Sequence, residues 1–173
     1  MPPWYELFGD AREPGPPYDR DVTSPPAAEP AFWRSMLRAQ AQISRRLQAD
    51  LAGSHDLALA AYDVLAHLGD APGGRLRMND LADRVLLSRS GLTRLVDRLQ
   101  SEGLVCRESC ASDARGLFAV LTPAGRSRLA EATPTYQRGV RDYVLSRLDE
   151  HDLLVVGALL DKLADGAYPF DGR

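Results

Sequence analysis

Residues 88–104 read SRSGLTRLVDRLQSEGL, and this stretch decides the fold. Its apolar side chains, from Leu92 to Leu99, recur at i, i+3, i+4 and i+7, which places them on one side of a helix. Ser88 is a favoured N-cap residue, and Gly103 is a favoured helix stop. The opposite side carries hydroxyls and arginines, which suit a DNA major groove because arginine reaches guanine edges there. An ordinary amphipathic surface helix fits the same pattern, so the neighbouring segments must decide between the two.

The segments before Ser88 predict three helices. The first covers residues 31–51 and stops at Gly53, and the second covers residues 57–68 and is buried. A short strand at Leu76 and Arg77 precedes a third helix in the sequence NDLADRVLL. Only two or three residues then separate this third helix from Ser88. Two short helices joined by so tight a turn predict a helix-turn-helix, with residues 88–102 as its recognition helix.

The segment after Gly103 predicts the wing of a winged helix, residues 106–121. Two short strands, 105–108 and 117–121, flank a polar loop that holds Asp113, Arg115 and Gly116. Arg115 can enter the minor groove while the recognition helix occupies the major groove. Asp113, two residues earlier, can aim the Arg115 guanidinium by an ion pair.

The two ends of the chain differ in character. Residues 1–29 are rich in proline and predict a flexible arm. At the other end, Thr122 caps a helix that runs toward Leu148, Pro134 should kink or interrupt that helix, and Asp149 caps a last helix. The terminal helices carry more apolar surface than a small winged helix can cover, which predicts pairing with a second copy of the chain.

Composition and charge exclude several classes of function. The 173 residues carry a net charge of -3, but the stretch from Arg75 to Arg128 holds ten arginines against six acids, as a DNA-binding surface requires. With two cysteines, no secretory signal and no apolar stretch long enough to cross a membrane, we expect a cytoplasmic protein with no membrane partner. No catalytic motif, cofactor motif or histidine spacing typical of a metal site is present, so we predict no enzyme, no cofactor and no metal.

The sequence resembles the MarR family of bacterial transcription regulators over residues 32–164. The resemblance rests on LADRVLLSRSGLTRLVDRL, then EGLV, then a wing motif made of Asp113, Arg115, Leu121, Thr122 and Gly125. The proline-rich arm and Ala114, where the family often has a second arginine, depart from the pattern. The resemblance implies a homodimer that binds pseudo-palindromic operator DNA, most often represses, and releases DNA when a small aromatic or anionic effector binds.

The predicted fold class is mainly α with a small β wing. A helical dimerisation region, residues 30–54 and 123–165, surrounds a winged helix-turn-helix domain, residues 55–122. The predicted DNA contacts are to bases from Arg89, Ser90, Thr93 and Arg94, to phosphates from Ser88 and Arg98, and to the minor groove from Arg115. We expect Asp97 to orient Arg94 or Arg98, because phosphates repel a carboxylate.

An effector crevice has weaker candidates on the first two helices. His67 and Asp63 lie four residues apart on the second helix, and an aromatic wall with a cation would suit an aromatic acid. The candidates are Trp33, Arg34, Tyr62, Asp63 and His67. Each also fits a position in the core or in the dimer interface.

Two alternatives to a ligand-responsive repressor stay open. A winged helix can bind protein instead of DNA, although such a module would not need basic charge around its recognition helix. Cys106 and Cys110 could make the regulator redox-responsive. Four residues of extended backbone separate these cysteines by ~13 Å, whereas a disulfide needs Cα atoms within ~7 Å, so we expect a packed Cys106 and an incidental Cys110.

Overall fold

The structure is a computed structural model that describes the backbone of residues 28–110 and 113–165 and the side chains of residues 30–109 and 117–163. The chain forms two compact units, Met1–Ala39 and Gln40–Arg173. The described part of the first unit is the beginning of the first helix. The predicted arm, residues 1–29, lies outside the described residues except for its last two, which begin that helix.

Within residues 28–110 and 113–165, six helices and three strands confirm the predicted class, mainly α with a small β wing. The helices are α1 (Ala28–His55), α2 (Leu59–Asp70), α3 (Met78–Arg84), α4 (Arg89–Ser101), α5 (Pro123–Tyr143) and α6 (Glu150–Asp165). The strands are β1 (Arg75–Arg77), β2 (Val105–Cys110) and β3 (Asp113–Leu121). Short 3-10 turns at Pro72–Gly74 and Leu145–Arg147 complete the described elements.

The strands form one antiparallel sheet in the order β1-β3-β2. Arg75 pairs with Val120, and Val120 pairs on its other side with Cys106. Because opposite residues of an antiparallel pair point to the same face, the alternate row contains Leu76, Ala119 and Arg107. Leu76 and Ala119 are buried, so this second face is the one that meets the helices.

The core lies where α2, α3 and α4 meet the sheet. It includes Leu65 and Leu68 of α2, Leu81 of α3, and Val96 and Leu99 of α4, all completely buried. Burial of each such side chain stabilises the folded state by roughly 1.5–3 kcal/mol. The predicted burial of the second helix is therefore confirmed.

The helix-turn-helix is present, and its turn has the predicted length. The third helix ends at Arg84, so three residues, 85–87, separate it from Ser88. Leu86 in this turn has a φ of 53° and is 91% exposed. A leucine in the left-handed region is strained, and the buried helices on both sides hold it there.

Two expected helix breaks are wrong. The first helix continues past Gly53 to His55, because a glycine inside an otherwise packed helix costs only ~1 kcal/mol. The His55 carbonyl accepts a hydrogen bond from Arg128 Nη1 at 2.6 Å, which satisfies that end of α1. Pro134 lies inside α5 and does not interrupt it, whereas the alternative expectation, a kink at Pro134, stays a prediction. Pro134 is exposed, so solvent can satisfy the carbonyl that its missing N–H leaves without a partner.

Both helix starts predicted after the wing are confirmed. Thr122 Oγ1 accepts a hydrogen bond from the Gly125 N–H at 3.0 Å, and Asp149 Oδ1 accepts one from the Asp152 N–H at 2.8 Å. Among the described helices, none has the length and apolar character needed to cross a membrane.

Gly125 allows a close contact between α5 and the chain segment that follows α4. A Cβ at this position would lie 2.0 Å from the Leu104 carbonyl oxygen, a backbone atom that cannot move away alone. We expect Gly125→Ala to lower the free energy of unfolding by about 2 kcal/mol, measured by urea denaturation with circular dichroism. Gly53→Ala is the matched control, because nothing lies within 4 Å of a Cβ there, and it should be neutral or stabilising. Equal stability of the Gly125→Ala and wild-type proteins would contradict the close contact.

Candidate nucleic-acid interface

The apolar side of α4 is buried, as the sequence predicts. Leu92, Val96 and Leu99 are at most 1% exposed. Ser88 is the N-cap residue, and its Oγ accepts a hydrogen bond from the Gly91 N–H at 3.1 Å. Gly103 has a φ of 72° just after the last turn, a conformation that suits glycine. The core and the two caps thus fix α4 with its polar side outward.

The polar side of α4 presents the predicted contact residues to solvent. All six predicted contact residues of this segment are exposed: Ser88, Arg89, Ser90, Thr93, Arg94 and Arg98. Their hydroxyl groups are partly used within the helix itself. Thr93 Oγ1 donates to the Arg89 carbonyl at 2.8 Å, and the Ser88 and Ser90 hydroxyls lie 3.3 Å apart. The arginines are therefore the side chains best able to reach beyond the helix.

The arginine side chains of α4 differ in whether they have a partner within the protein. Arg98 Nε lies 3.7 Å from the Glu102 carboxylate, one helical turn away. The guanidinium groups of Arg89 and Arg94 form no hydrogen bond or ion pair with any residue that the structure describes. A guanidinium without an intramolecular partner keeps all five N–H donors for a ligand. Arg94 and Arg89 are thus the strongest candidates for base contacts.

Asp97 does not orient Arg94 or Arg98, so that expectation is wrong. Its Oδ1 accepts a hydrogen bond from Arg107 Nη1, and Arg107 Nη2 also donates to the Thr93 carbonyl at 3.2 Å. The reason is the strand register, which places Arg107 of β2 on the face of the sheet that meets α4.

The wing hairpin is present, but its strands are longer than predicted. Asp113 and Arg115 belong to β3, so the expectation that a loop holds them is wrong. Backbone pairing continues as far as Cys110 opposite Asp113, with an irregularity between Ser109 and Cys110, and this pairing extends the strands. The side chains of Asp113 and Arg115 lie outside the described residues, so their predicted roles stay predictions.

The cysteines lie four residues apart on one strand. Cys106 is a free, half-buried thiol on β2, and Cys110 ends the same strand instead of lying in the loop. The side chain of Cys110 lies outside the described residues. Because a strand advances ~3.3 Å per residue, this placement keeps the two Cα atoms beyond the reach of a disulfide.

The outer face of the sheet carries a basic cluster that the sequence reasoning missed. The Arg75 guanidinium lies 4.2 Å from the centre of the Phe118 ring, and the Arg77 guanidinium lies 5.5 Å from it. Glu108 lies 3.7 Å from Arg75 and balances part of the charge. The alternation Arg-Leu-Arg in residues 75–77 is the signal that places two arginines on one face of an edge strand.

The effector candidates fall on both units. Trp33 and Arg34 are exposed on the part of α1 that belongs to the first unit. On α2, Tyr62 is buried and stacks on Tyr136 of α5, with ring centres 4.4 Å apart. Burial raises the pKa of the Asp63 carboxyl, and His67 nearby lowers it by a smaller amount. Burial also raises the pKa of Tyr136, and the Asp63 charge adds to that effect.

A polar cleft between the second half of α1 and α5 is explained by helix packing. Gly139 allows the close approach, because a Cβ there would lie 2.6 Å from Leu47. Tyr143 donates a hydrogen bond to Asp50 at 2.6 Å, which raises the pKa of the Tyr143 hydroxyl. The lining residues are Asp50, Ser54, Thr135, Arg138, Gly139, Asp142 and Tyr143.

This arrangement defines a winged helix-turn-helix protein with an arginine-bearing recognition helix, and comparisons with known proteins give its family. A MarR family model matches residues 55–116. The chain is similar to the structure of Sco3205, a MarR family transcriptional regulator from Streptomyces coelicolor, with 33% identity, a TM-score of 0.82, and coverage of 87% of this chain and 96% of Sco3205. AbsC, a MarR family transcriptional regulator from the same organism, is 32% identical with a TM-score of 0.78, over 83% of this chain and 97% of AbsC. The transcriptional regulator HosA from Escherichia coli O157:H7 is 32% identical over 58% of this chain and 73% of HosA.

The chain belongs to the MarR family. It is a DNA-binding transcriptional regulator with the winged helix fold of that family, and the relatives named above are regulators, not enzymes.

We expect partial burial of Asp63 to make the stability of the protein depend on pH. Burial raises its pKa, so the folded state disfavours the ionised form, and stability is highest below the unfolded pKa and falls as the pH rises through the folded pKa. We expect Asp63→Asn to raise the melting temperature at pH 7. Measured at fixed protein concentration, this increase in melting temperature over wild type should become smaller toward pH 3. Asp161→Asn removes the same charge from an exposed position and is the control. A gain independent of pH would contradict the role of burial.

Arg94 provides the direct test of the recognition helix. We expect Arg94→Ala to weaken binding to a specific operator by ~1–3 kcal/mol, because the predicted bidentate arginine–guanine contact would be lost. Fluorescence anisotropy titrations with the operator and with a random duplex measure the change. Ser101→Ala, at the far end of the same helix, is a control for helix integrity. Unchanged operator binding by a folded Arg94→Ala protein would remove Arg94 from the interface.

Proposed function

We propose that the protein is a homodimeric repressor that binds a pseudo-palindromic operator and responds to a small effector. The observation that carries the proposal is the exposed front of α4, where Arg89 and Arg94 have no partner among the described residues. In this assignment the recognition helix enters the major groove, with Arg89, Ser90, Thr93 and Arg94 at the bases. Ser88 and Arg98 contact phosphates, and Arg115 of the wing reaches the minor groove, aimed by Asp113. The Sco3205 structure is a complex with DNA, which supports this docking.

The homodimer is supported by the exposed apolar surface of α6. Every leucine and valine of α6 whose side chain is described is exposed: Leu153, Leu154, Val155, Val156, Leu159, Leu160 and Leu163. An exposed apolar surface of this kind marks an interaction site. The start of α1, in the other unit, likewise exposes Phe32, Trp33 and Leu37. A second copy of the chain supplies the same surface in return, which is how two-fold dimers close.

The proposed effector response is supported by aromatic and charged side chains on α2 and α5. The stacked Tyr62 and Tyr136 rings, with Asp63 and His67 beside them on α2, provide an aromatic wall for a small aromatic or anionic molecule. Trp33 and Arg34 remain candidates from the first unit. Since α2 also packs against α3, the helix that precedes the recognition helix, a ligand at α2 can shift the docking surface.

The proposal is tested by selecting genomic fragments with the purified protein and measuring binding to the enriched site. We expect two inverted half-sites about one helical turn apart, two chains bound per site, and weak competition by random DNA. In the same titration, benzoate as an effector probe should lower operator affinity.

One chain per site, or equal affinity for random DNA, would contradict the proposed function. Equal affinity for random DNA would favour a protein-interaction module. An unchanged operator affinity with benzoate would contradict an effector of that class.

A double variant of α6 tests whether this helix forms the dimer interface. Leu154→Glu together with Leu160→Glu places charges on the exposed side of α6, and we expect a monomer in sedimentation equilibrium with much weaker operator binding. Asp161→Asn on the same helix should remain a dimer. A variant that remains dimeric would move the interface away from α6.

A further inference from the structure

Arg107 of β2 holds the recognition helix at two points. Its Nη1 donates to the Asp97 carboxylate, and its Nη2 donates to the Thr93 carbonyl at 3.2 Å. Thr93 and Asp97 are four residues apart, and in a helix the carbonyl of one residue points toward the residue four positions later, so both acceptors lie close together on one side of α4. A single planar guanidinium that donates to both acceptors resists rotation of α4 about its own axis.

The Arg107 side chain does not belong to the exposed front of the helix. Its neighbours in the sheet are buried: Val105 on the same strand, and Ala119 directly opposite on β3. The Arg107 side chain is 23% exposed, whereas that of Asp97 is 54% exposed. Arg107 therefore acts from beneath α4 and not from the surface that would meet DNA.

The same contact controls the charge next to Arg94. Arg94 and Asp97 are three residues apart on one helix, a spacing at which opposite charges pair readily. With the Asp97 carboxylate bound to Arg107, Arg94 has no partner among the described residues. Without Arg107, the carboxylate would be available to Arg94 and would compete with guanine for its donors.

We propose that Arg107 is a positioning residue for operator recognition, which fixes the rotation of α4 and keeps Asp97 away from Arg94. This role rests on the proposed function, in which Arg94 reads bases. The Asp97–Arg107 pair is partly exposed and contributes little to folding stability, so variants at both positions should fold.

The first experiment compares specific with random DNA. Arg107→Ala should weaken operator binding roughly tenfold, while its affinity for a random duplex of equal length should match that of Arg141→Ala. Arg141 is an exposed arginine of α5 outside the basic stretch, and its loss changes the net charge by the same amount. Arg107→Lys should fall between wild type and Arg107→Ala, because one ammonium group cannot span both contacts. Circular dichroism confirms folding, and Arg107→Lys still tests the proposal if the alanine variant unfolds.

The second experiment is a double-mutant cycle, and its expected result differs from that of a residue that only stabilises the fold. In the Arg94→Ala background, Arg107→Ala should cost clearly less operator affinity than it costs in wild type. Adding Asp97→Asn to Arg107→Ala should restore part of the affinity, because the competing charge is gone. Equal costs in both backgrounds, or no cost in wild type, would overturn the positioning role while operator binding stands. Failure of the wild-type protein to distinguish operator from random DNA would instead overturn the proposed function, and the positioning role with it.

Discussion

Burial of the apolar side of α4 is the constraint on which the rest of the structure depends. Leu92, Val96 and Leu99 are at most 1% exposed, and each contributes roughly 1.5–3 kcal/mol when buried. A partly exposed ion pair such as Arg107–Asp97 contributes about 1 kcal/mol or less. Burial therefore decides which side of α4 faces outward, and polar contacts only adjust its orientation.

On the polar side of α4, some charged side chains pair within the protein and others do not. Arg98 pairs with Glu102 on the same helix, and Asp97 pairs with Arg107 from the wing. Arg89 and Arg94 keep their guanidinium donors, whereas Thr93 donates its hydroxyl proton to the helix backbone. Because a guanidinium can contact guanine through two hydrogen bonds, sequence discrimination in this protein should rest on arginine more than on hydroxyl groups.

In the proposed function, DNA docking and its control by an effector use different parts of the chain. The recognition helix and the wing belong to the centre of the sequence, whereas most of the exposed large apolar side chains lie toward its ends, at the start of α1 and along α6. The second helix stands between these functions, since it carries Tyr62 and Asp63 and also packs against α3, α5 and the sheet. A ligand that alters the packing of α2 would therefore act on the docking surface through the core.

Much of the candidate site could be predicted from the sequence because its determinants are local. Helical periodicity gives the buried and exposed sides of α4, and Ser88, Thr122 and Asp149 cap helices through hydrogen bonds to residues only three positions away. The wing was predicted for the same reason, although strand pairing extends beyond the segment that looked like a loop. The continuation of α1 through Gly53 and of α5 through Pro134 was missed, because tertiary packing outweighs the local cost of each residue.

The sequence by itself determined the helix-turn-helix, the wing and the basic surface, because spacing, capping and local charge act over a few residues. Only the tertiary structure decided what Asp97 binds. Its partner is ten residues away on another element, and the sheet register that turns Arg107 toward α4 depends on pairing with β3. The sequence of α4 determines which of its residues are exposed, whereas the Arg107 contacts that adjust the orientation of the helix come from β2.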